Sequence, residues 1–396
     1  MDIERLLRGT DTVVPEEEFR DRLAEGKPLR VKLGMDPTAP TVTLGWAVVL
    51  RKLRHFQEQG HTAVLIVGDF TAQVGDPSGK SETRKRLSAD EVRGYAENVL
   101  EGFKKVLIWD DEVLEVRYNS EWLSQLDMAD VLELTSKMTL AQMLERDDFA
   151  KRFGANQPIS MMEFMYPLLQ GMDSVAIDAD IELGGSDQLW NNLVGRELMG
   201  RYGKRPQMVM TLPLLVGTDG VQKMSQSLGN YIGVDDEPGD MFGKVMSIPD
   251  EAMEQYFRLA TGMEENRIDQ ILGELADGSA HPGEMKRLLG RDIVELYHGV
   301  DAAIDAEAAF DRIFRQKDAP DEVPDHIAGE GDPVWLPGLL KDAGLVKSSS
   351  EGKRLVSQGA VKIEGETVGG EEVARTELLG RVVQVGKRRF VRFVDG

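Results

Sequence analysis

Residues 29–67 read "LRVKLGMDPTAPTVTLGWAVVLRKLRHFQEQGHTAVLIV", and this stretch predicts the fold. Its first five residues form a short strand, after which a polar turn follows. Val49, Leu53 and Phe56 then recur at helical spacing, and Gly60 is a typical helix stop. The apolar run that closes the stretch has the length and composition of a buried parallel strand. This strand–helix–strand unit predicts an α/β fold of Rossmann-like type, with its ligand at the carboxyl ends of the strands.

The composition is that of a folded protein with more than one domain. A chain of 396 residues is too long for one ordinary domain, and 41% hydrophobic residues support a real core. The absence of cysteine excludes disulfides and thiolate metal sites. The sequence contains no run of about 18 uncharged apolar residues, so it predicts no membrane span. The charged N-terminus does not resemble a signal peptide. We therefore expect a cytoplasmic protein without a membrane partner.

Charge is unevenly distributed along the chain. The whole chain carries −22, which argues against nucleic-acid binding over its entire surface. Residues 334–396 contain eleven Lys and Arg against eight Asp and Glu, a net charge of +3, which leaves −25 for residues 1–333. Four basic residues of this tail lie on or beside predicted helices and suit a phosphate backbone: Lys341, Lys347, Lys353 and Arg354. The run Lys387, Arg388 and Arg389 lies near the end of the chain.

The pattern of elements predicts three domains. A second strand–turn–helix unit is predicted where the strand "DIEL" is followed by the turn "GGSDQ" and then by a helix. The segment "QMVMTLPLLVG" predicts another strand. Residues 235–330 read as helices separated by Pro and Gly, and "GEGDP" at 329–333 reads as a linker. We expect a Rossmann-like domain over 1–232, an α-helical domain over 233–330 and a small α+β domain over 334–396.

Four short motifs carry candidate chemistry. "VGDPSGKS" at 74–81 has only three residues between Gly75 and Gly79, which disfavours a P-loop NTPase but leaves Asp76 at the sheet edge. "FMYPLLQGMD" places Tyr166, Gln170 and Asp173 on one helical face, which suits either a small zwitterionic ligand or simple exposure to solvent.

The other two motifs are polar turns. "GGSDQ" at 184–188 combines glycines that permit close backbone approach with a carboxylate that can accept from ribose hydroxyls. "KMSQS" at 223–227 offers a loop lysine that can neutralise charge on a polyphosphate, although most loop lysines are only solvated.

Taken together, the motifs resemble a known family. "GMDPTAP…TLGW", "GDPSG", "YPLLQGMD", "GGSDQ" and "KMSQS" occur in the order and near the spacing of class I aminoacyl-tRNA synthetases, the tyrosyl branch in particular. The tail resembles the S4-like RNA-binding domain of bacterial members. The resemblance covers essentially the whole chain. It implies a homodimer that joins tyrosine to ATP, accompanied by Mg²⁺, and then transfers the tyrosyl group to tRNA-Tyr without a tightly bound cofactor or protein metal site.

The resemblance also implies residue roles. Asp173 is expected to meet the tyrosine hydroxyl, and Asp187 to lie near the ribose. The other residues of the tyrosine pocket are expected to be Gly34, Asp76, Tyr166, Gln170 and Gln188. The expected ATP-binding residues are Asp36, Gly45, Asp187, Lys223, Met224 and Ser225. The expected catalytic positions are Thr38, Thr43, Trp46, Lys223 and Gln226.

Departures from the family pattern fall mainly at the phosphate end of the site. The family's His-(Leu/Ile)-Gly-His turn is Thr43-Leu44-Gly45-Trp46 here, and the second lysine of its Lys-Met-Ser-Lys-Ser loop is Gln226. In addition, Lys32 stands where some members have a tyrosine that touches the phenol. Two further interpretations stay open, a tyrosine-binding paralogue without ordinary adenylation and a pure RNA-binding protein. The changes are either natural or engineered.

Overall fold

A computed structural model describes residues 2–76, 87–312, 323–329, 331–386 and 389–395. Contacts divide the chain into two compact units, Met1–Glu237 with Lys244–Tyr297, and Pro238–Gly243 with His298–Gly396. The predicted domain limits at 232 and 334 do not coincide with this division and stay predictions. Most of the "GDPSG" motif, together with Lys387 and Arg388, lies outside the described residues.

Helices account for about half of the described chain. They are α1 (Ile3–Leu7), α2 (Glu16–Ala24), α3 (Leu44–Glu58), α4 (Thr71–Val74), α5 (Ala89–Lys104), α6 (Ser120–Leu123), α7 (Met128–Ser136), α8 (Leu140–Met143), α9 (Asp147–Gly154), α10 (Met161–Ile177), α11 (Leu189–Arg201), α12 (Pro238–Met246), α13 (Met253–Ala260), α14 (Glu265–Ala276), α15 (Pro282–His298), α16 (Val300–Asp311), α17 (Leu336–Asp342), α18 (Ser349–Ser357) and α19 (Arg375–Leu378). In this part of the chain, no helix has the length and apolar character needed to cross a membrane.

The strands form three sheets. They are β1 (Thr12–Val14), β2 (Arg30–Met35), β3 (Thr62–Val67), β4 (Leu114–Tyr118), β5 (Ile181–Gly185), β6 (Met208–Leu212), β7 (Asp325–Ile327), β8 (Val334–Trp335), β9 (Val361–Ile363), β10 (Glu366–Thr367), β11 (Glu372–Val373), β12 (Val382–Val385) and β13 (Arg389–Val394). The first sheet has the order β1-β6-β5-β2-β3-β4, and all its pairs are parallel except β1 with β6.

The parallel sheet confirms the predicted fold class and fixes where a ligand can lie. β2 and β3 are largely buried on both faces because helices cover both sides of the sheet, as in doubly wound folds. β5 and β3 flank β2, so the carboxyl ends of these three strands meet at one edge. This edge is the place where open parallel sheets bind ligands.

Helices α10 and α11 cross at two glycines. A Cβ atom on Gly171 would lie 2.5 Å from Leu198 Cδ1 and 3.2 Å from the Cα of Gly195. A side chain at position 171 would therefore press on α11, whereas one at position 195 would meet Gln207 Nε2 at 2.7 Å and Glu182 Oε2 at 3.1 Å. Their close approach sets the distance between two walls of the site described below.

The C-terminal unit contains a mixed sheet of its own. Its order is β10-β9-β12-β13-β7, and β7 pairs in parallel with β13. This sheet therefore takes in residues that precede position 334. Buried side chains of α17, α18 and the sheet, such as Leu340, Val383 and Phe393, form a separate hydrophobic core.

Candidate active site

Polar side chains from β2, β5 and α10 meet at the carboxyl edge of the parallel sheet. Asp36 follows β2 directly, and Gln188 follows β5 in a short 3₁₀ turn. α10 begins at Ser160, whose hydroxyl accepts from the Met162 N–H while Glu163 closes the capping box. The helix then presents its polar face, predicted from the sequence, towards the end of the sheet.

The Asp173 side chain is held by one residue of α6 and by one residue that directly precedes α6. Its carboxylate accepts from the Trp122 indole Nε1 at 2.9 Å and from the Asn119 amide at 3.4 Å. Burial raises the pKa of Asp173 to about 7, although the nearby Lys32 ammonium acts to lower it. A buried carboxylate with two fixed donors is an oriented acceptor for one further hydroxyl.

The side chains of Asp36 and Tyr166 are joined by a direct hydrogen bond. The Tyr166 hydroxyl donates to Asp36 Oδ2 at 3.0 Å, and the Thr71 hydroxyl donates to Oδ1 at 2.7 Å. Burial raises the pKa of Asp36 to about 7 and also raises the pKa of Tyr166. The resemblance implies that Asp36 binds ATP and that Tyr166 binds tyrosine. The hydrogen bond between them places the two expected binding regions next to each other.

Gln170 has an acceptor that is left for a ligand. Its Nε2 donates to Glu182 Oε1 and to Asn192 Oδ1, both at 3.1 Å. Its Oε1 is buried and has no partner among the residues that the structure describes, and the same holds for Asn192 Nδ2. A Cβ placed on Gly34 would meet no atom within 4 Å, so the space beside this glycine is open. Buried polar atoms without a partner are uncommon in folded proteins, and a binding site is one place where they occur.

Asp76 and Gln188 meet from opposite sides of the sheet edge. Gln188 Nε2 donates to Asp76 Oδ2 at 2.9 Å, and Gln188 Oε1 accepts from the Asn191 amide at 3.1 Å. The structure thus brings all the predicted tyrosine-pocket residues to one edge of the sheet.

Lys32 does not enter this pocket. Its side chain is fully buried, and its ammonium donates to the Gln170 carbonyl, to Ser174 Oγ and to Glu182 Oε1. An ammonium has three N–H donors, so none is left for a phenol.

The altered turn begins α3. Thr43 is buried, and its hydroxyl accepts from the Trp46 N–H as the N-cap of the helix. The Trp46 ring lies against Phe103, with centroids 6.2 Å apart. A cavity of about 70 Å³ remains here, lined by Met35, Asp36, Thr38, Ala39, Thr41, Val42, Trp46, Val99, Phe103 and Gln226. Pockets that enclose a small molecule are usually about 300 Å³ or more, so this cavity is smaller than such a pocket, and Trp46 is one of the residues that border it.

The loop at 223–227 is tied to this turn. Gln226 Nε2 donates to the Thr41 carbonyl at 2.6 Å, and its Oε1 accepts from the Thr41 N–H at 3.4 Å. Met224 lies over Gly45, with its Cβ 3.6 Å from where a Cβ of that glycine would be.

Lys223 and Asp187 form an ion pair of 2.8 Å at the rim of the site. Both residues are expected to bind ATP, and in this structure they are paired with each other instead. The backbone N–H of Ser225 donates to Asn230 Oδ1 at 2.9 Å, which fixes the loop next to Lys223.

Sequence reasoning missed the groups that hold the two key carboxylates. Asn119 and Trp122 hold Asp173, and Thr71 holds Asp36. The "YNSEW" segment follows β4, and a polar residue directly after a parallel strand is the signal that points to the site edge. Among the described residues, no group of three or more His, Asp or Glu side chains is arranged to hold a metal ion.

Comparison with known proteins assigns the family. A family model for tRNA synthetases class I (W and Y) matches residues 24–315 of this chain. The tyrosine–tRNA ligase of Moorella thermoacetica is 52% identical over 98% of this chain and 94% of its own length. The chain belongs to the tyrosyl branch of the class I tRNA synthetases.

Further relatives and solved structures agree with this assignment. The tyrosine–tRNA ligase of Haemophilus influenzae is 51% identical to this synthetase over 98% of the chain and 95% of the relative. The tyrosyl-tRNA synthetase structure from Aeropyrum pernix has a TM-score of 0.61 at 21% identity and covers 79% of this chain and 98% of that one. A C-terminally truncated mitochondrial enzyme of Aspergillus nidulans gives 0.64 at 22% identity, covering 78% and 92%. At these identities the two structures show that this synthetase shares their fold.

Proposed function

We propose that this synthetase joins tyrosine to Mg²⁺–ATP, releasing pyrophosphate, and transfers the tyrosyl group to tRNA-Tyr, with slow adenylation. The observation that carries the proposal is an asymmetry within one site. The amino-acid end is complete and ordered, whereas the phosphate end has lost three of the polar groups typical of the family. Protein synthesis places such an enzyme in the cytoplasm.

The amino-acid end suits tyrosine. Asp173 is an oriented acceptor at the depth of the pocket, where a phenol hydroxyl can donate to it. Gln170 Oε1 lacks a partner among the described groups, and it lies one helical turn away, where an α-ammonium can donate.

The phosphate end is poorly equipped for catalysis. Adenylation uses no protein nucleophile and depends on positioning and on donors aimed at the growing charge. Thr43 is buried and already serves as an N-cap, and Gln226 holds the Thr41 backbone instead of offering a positive charge. Loss of one such donor typically lowers the rate on the order of 10²–10³-fold.

A second function is a tyrosine-binding protein that does not adenylate. The small cavity beside Trp46 and the Lys223–Asp187 ion pair favour this alternative. To bind, ATP must move side chains that border the cavity and must break the ion pair. Under this alternative the chain binds tyrosine or a related amino acid and RNA without ordinary aminoacylation.

Pyrophosphate exchange separates the two functions. Tyrosine-dependent exchange of labelled pyrophosphate into ATP supports the ligase, whereas tyrosine binding by calorimetry without any exchange supports the binder. Lys223→Met is the matched variant, because it removes the remaining signature-loop charge. Exchange that is unaffected by Lys223→Met would contradict the proposed role of the loop.

The C-terminal unit is the proposed tRNA site. Lys341, Lys347 and Arg354 are exposed and make no ion pair with any described residue, whereas Lys353 is paired with Glu371 at 3.0 Å. The three unpaired cations are therefore the better candidates for phosphate contacts. The Trp335 ring is 43% exposed beside Lys353, and its indole can stack on a base.

A homodimer is proposed from exposed apolar side chains in consecutive helices. In α7 to α10, five large apolar side chains are each more than half exposed: Met128, Leu132, Leu140, Phe153 and Met161. Apolar side chains left exposed to this extent are typical of protein interfaces when they form one surface. Sedimentation velocity tests the assembly, and a monomer at micromolar concentration would contradict it.

A further inference from the structure

A buried ion pair lies directly beneath the amino-acid pocket. Lys32 of β2 and Glu182 of β5 are register partners in the parallel sheet, and their side chains are 0% and 1% exposed. Lys32 Nζ lies 2.8 Å from Glu182 Oε1. Burial of two charges is costly unless each is fully hydrogen-bonded, so such a pair calls for a specific reason.

Every donor of the lysine is used. Its Nζ donates to the Gln170 carbonyl at 2.9 Å and to Ser174 Oγ at 2.8 Å, in addition to Glu182. Glu182 in turn accepts from the Gln170 amide, from Ser174 Oγ and from Gln207. The pair is therefore hydrogen-bonded to α10 at positions 170 and 174, on either side of Asp173.

We propose that Lys32 is a positioning residue for amino-acid specificity, which holds Asp173 and Gln170 towards the pocket and supplies the positive charge behind Asp173. This inference rests on the proposed tyrosine site and deepens it. Lys32 touches no ligand, since its three donors are satisfied within the protein. It acts on a bound phenol through Asp173.

The charges around Asp173 support this role. The groups that face it are Lys32 and Asp36 of the β2 segment, Glu182 of β5 and Tyr166 of its own helix, together with the neutral donors of Asn119 and Trp122. Of these, only Lys32 is positive. Burial raises the pKa of Asp173 to about 7, and Lys32 opposes this rise. Lys32 thus favours the carboxylate, which is the stronger acceptor for a phenol.

The test is the pH dependence of discrimination between tyrosine and phenylalanine, measured by calorimetry on the full-length protein from pH 5.5 to 9. In the unmodified protein the affinity ratio should rise with pH through about 7, because only tyrosine donates to Asp173. In Lys32→Met with Glu182→Gln, which removes both buried charges, the midpoint should move up by about one unit. That corresponds to roughly tenfold less carboxylate at a given pH below the midpoint. Phenylalanine affinity should fall less than tyrosine affinity, because Gln170 serves both ligands whereas Asp173 serves only tyrosine.

Glu182→Gln alone is a second, opposing variant. It keeps the shape and an oxygen for Lys32 but removes the negative charge, so the midpoint should move down. It also decides the matter if the double variant does not fold.

Lys52→Met is the matched control. Lys52 is 4% exposed and donates to the backbone carbonyls of Leu6 and Arg8, away from the pocket. This variant should leave the midpoint unchanged. In an Asp173→Asn background, loss of the Lys32–Glu182 charges should no longer alter the affinity ratio, because a residue acting through Asp173 shows full coupling in a double-mutant cycle.

Three results would overturn the inference: unchanged midpoints in both charge variants, equal weakening of tyrosine and phenylalanine, or an effect that persists with Asp173→Asn. Failure of the unmodified protein to bind tyrosine would instead contradict the proposed function itself. The two failures are therefore distinguishable.

Discussion

The combined variant Thr43→His, Trp46→His and Gln226→Lys should raise tyrosine-dependent pyrophosphate exchange on the order of 10²-fold or more. One restored donor is worth about 3 kcal/mol in the transition state. Removal of the indole also ends its contact with Phe103 and enlarges the cavity of about 70 Å³ that it borders. Single reversions are expected to do less, because groups that act as a unit are not additive.

The same variant should be less stable. Thr43 is the N-cap of α3, and replacing such a cap costs about 1 kcal/mol. Gln226 makes two hydrogen bonds to Thr41 that a lysine cannot reproduce as a pair. Exchange is measured at saturating tyrosine and ATP, with thermal denaturation in parallel. Trp109→His, at a 40% exposed tryptophan, serves as the control. Unchanged exchange in a folded triple variant would refute the assignment of slow adenylation to these positions.

Four further outcomes are expected. Asp173→Ala should weaken tyrosine binding far more than phenylalanine binding in calorimetry without ATP, and equal losses would contradict the hydroxyl contact. Burial raises the folded-state pKa of Asp173 to about 7, so the fold loses stability as the pH rises from about 4 to about 7. Asp173→Asn loses one of the two bonds from Trp122 and Asn119 at any pH, so relative to the unmodified protein its melting temperature without ligand should be higher at pH 8 than at pH 4. Removal of residues 334–396 should abolish most tRNA binding and spare tyrosine binding, and Lys341→Ala should lower the salt slope of tRNA binding by roughly one unit. Leu132→Asp should convert the proposed dimer to monomers in sedimentation, with its fold intact by circular dichroism.

The sequence predicted the centre of the fold well and its edges poorly. β2 and β3 are mostly apolar runs, because both faces of the central strands are covered, and α3 carries apolar residues at helical spacing. β4 was missed, since at the edge of the sheet only Leu114 is buried and the rest of the strand is half-exposed. β1 was missed because it has only three residues.

The site shows the same division between local and long-range information. Helical spacing placed Tyr166, Gln170 and Asp173 on one face, since that depends only on the periodicity of α10. The donors to Asp173 lie 51 and 54 residues away along the chain, so no local pattern indicates them. Lys32 stood out in the sequence only as a mismatch to the family, and its role depends on a register partner from a distant strand.

The contact between Gly171 and Gly195 has a consequence for laboratory evolution of this pocket. Libraries that seek new amino-acid substrates usually vary the side chains that touch the ligand. Here the width of the pocket also depends on two positions without side chains, because they let α10 and α11 approach so closely. An alanine at position 171 would press on Leu198 and on the Gly195 backbone and would move Gln170 relative to Asn192, to which Gln170 donates. Substrate preference would then change through the hydrogen bond between these two side chains, so a screen that ignores this backbone position would overlook a route to new substrates.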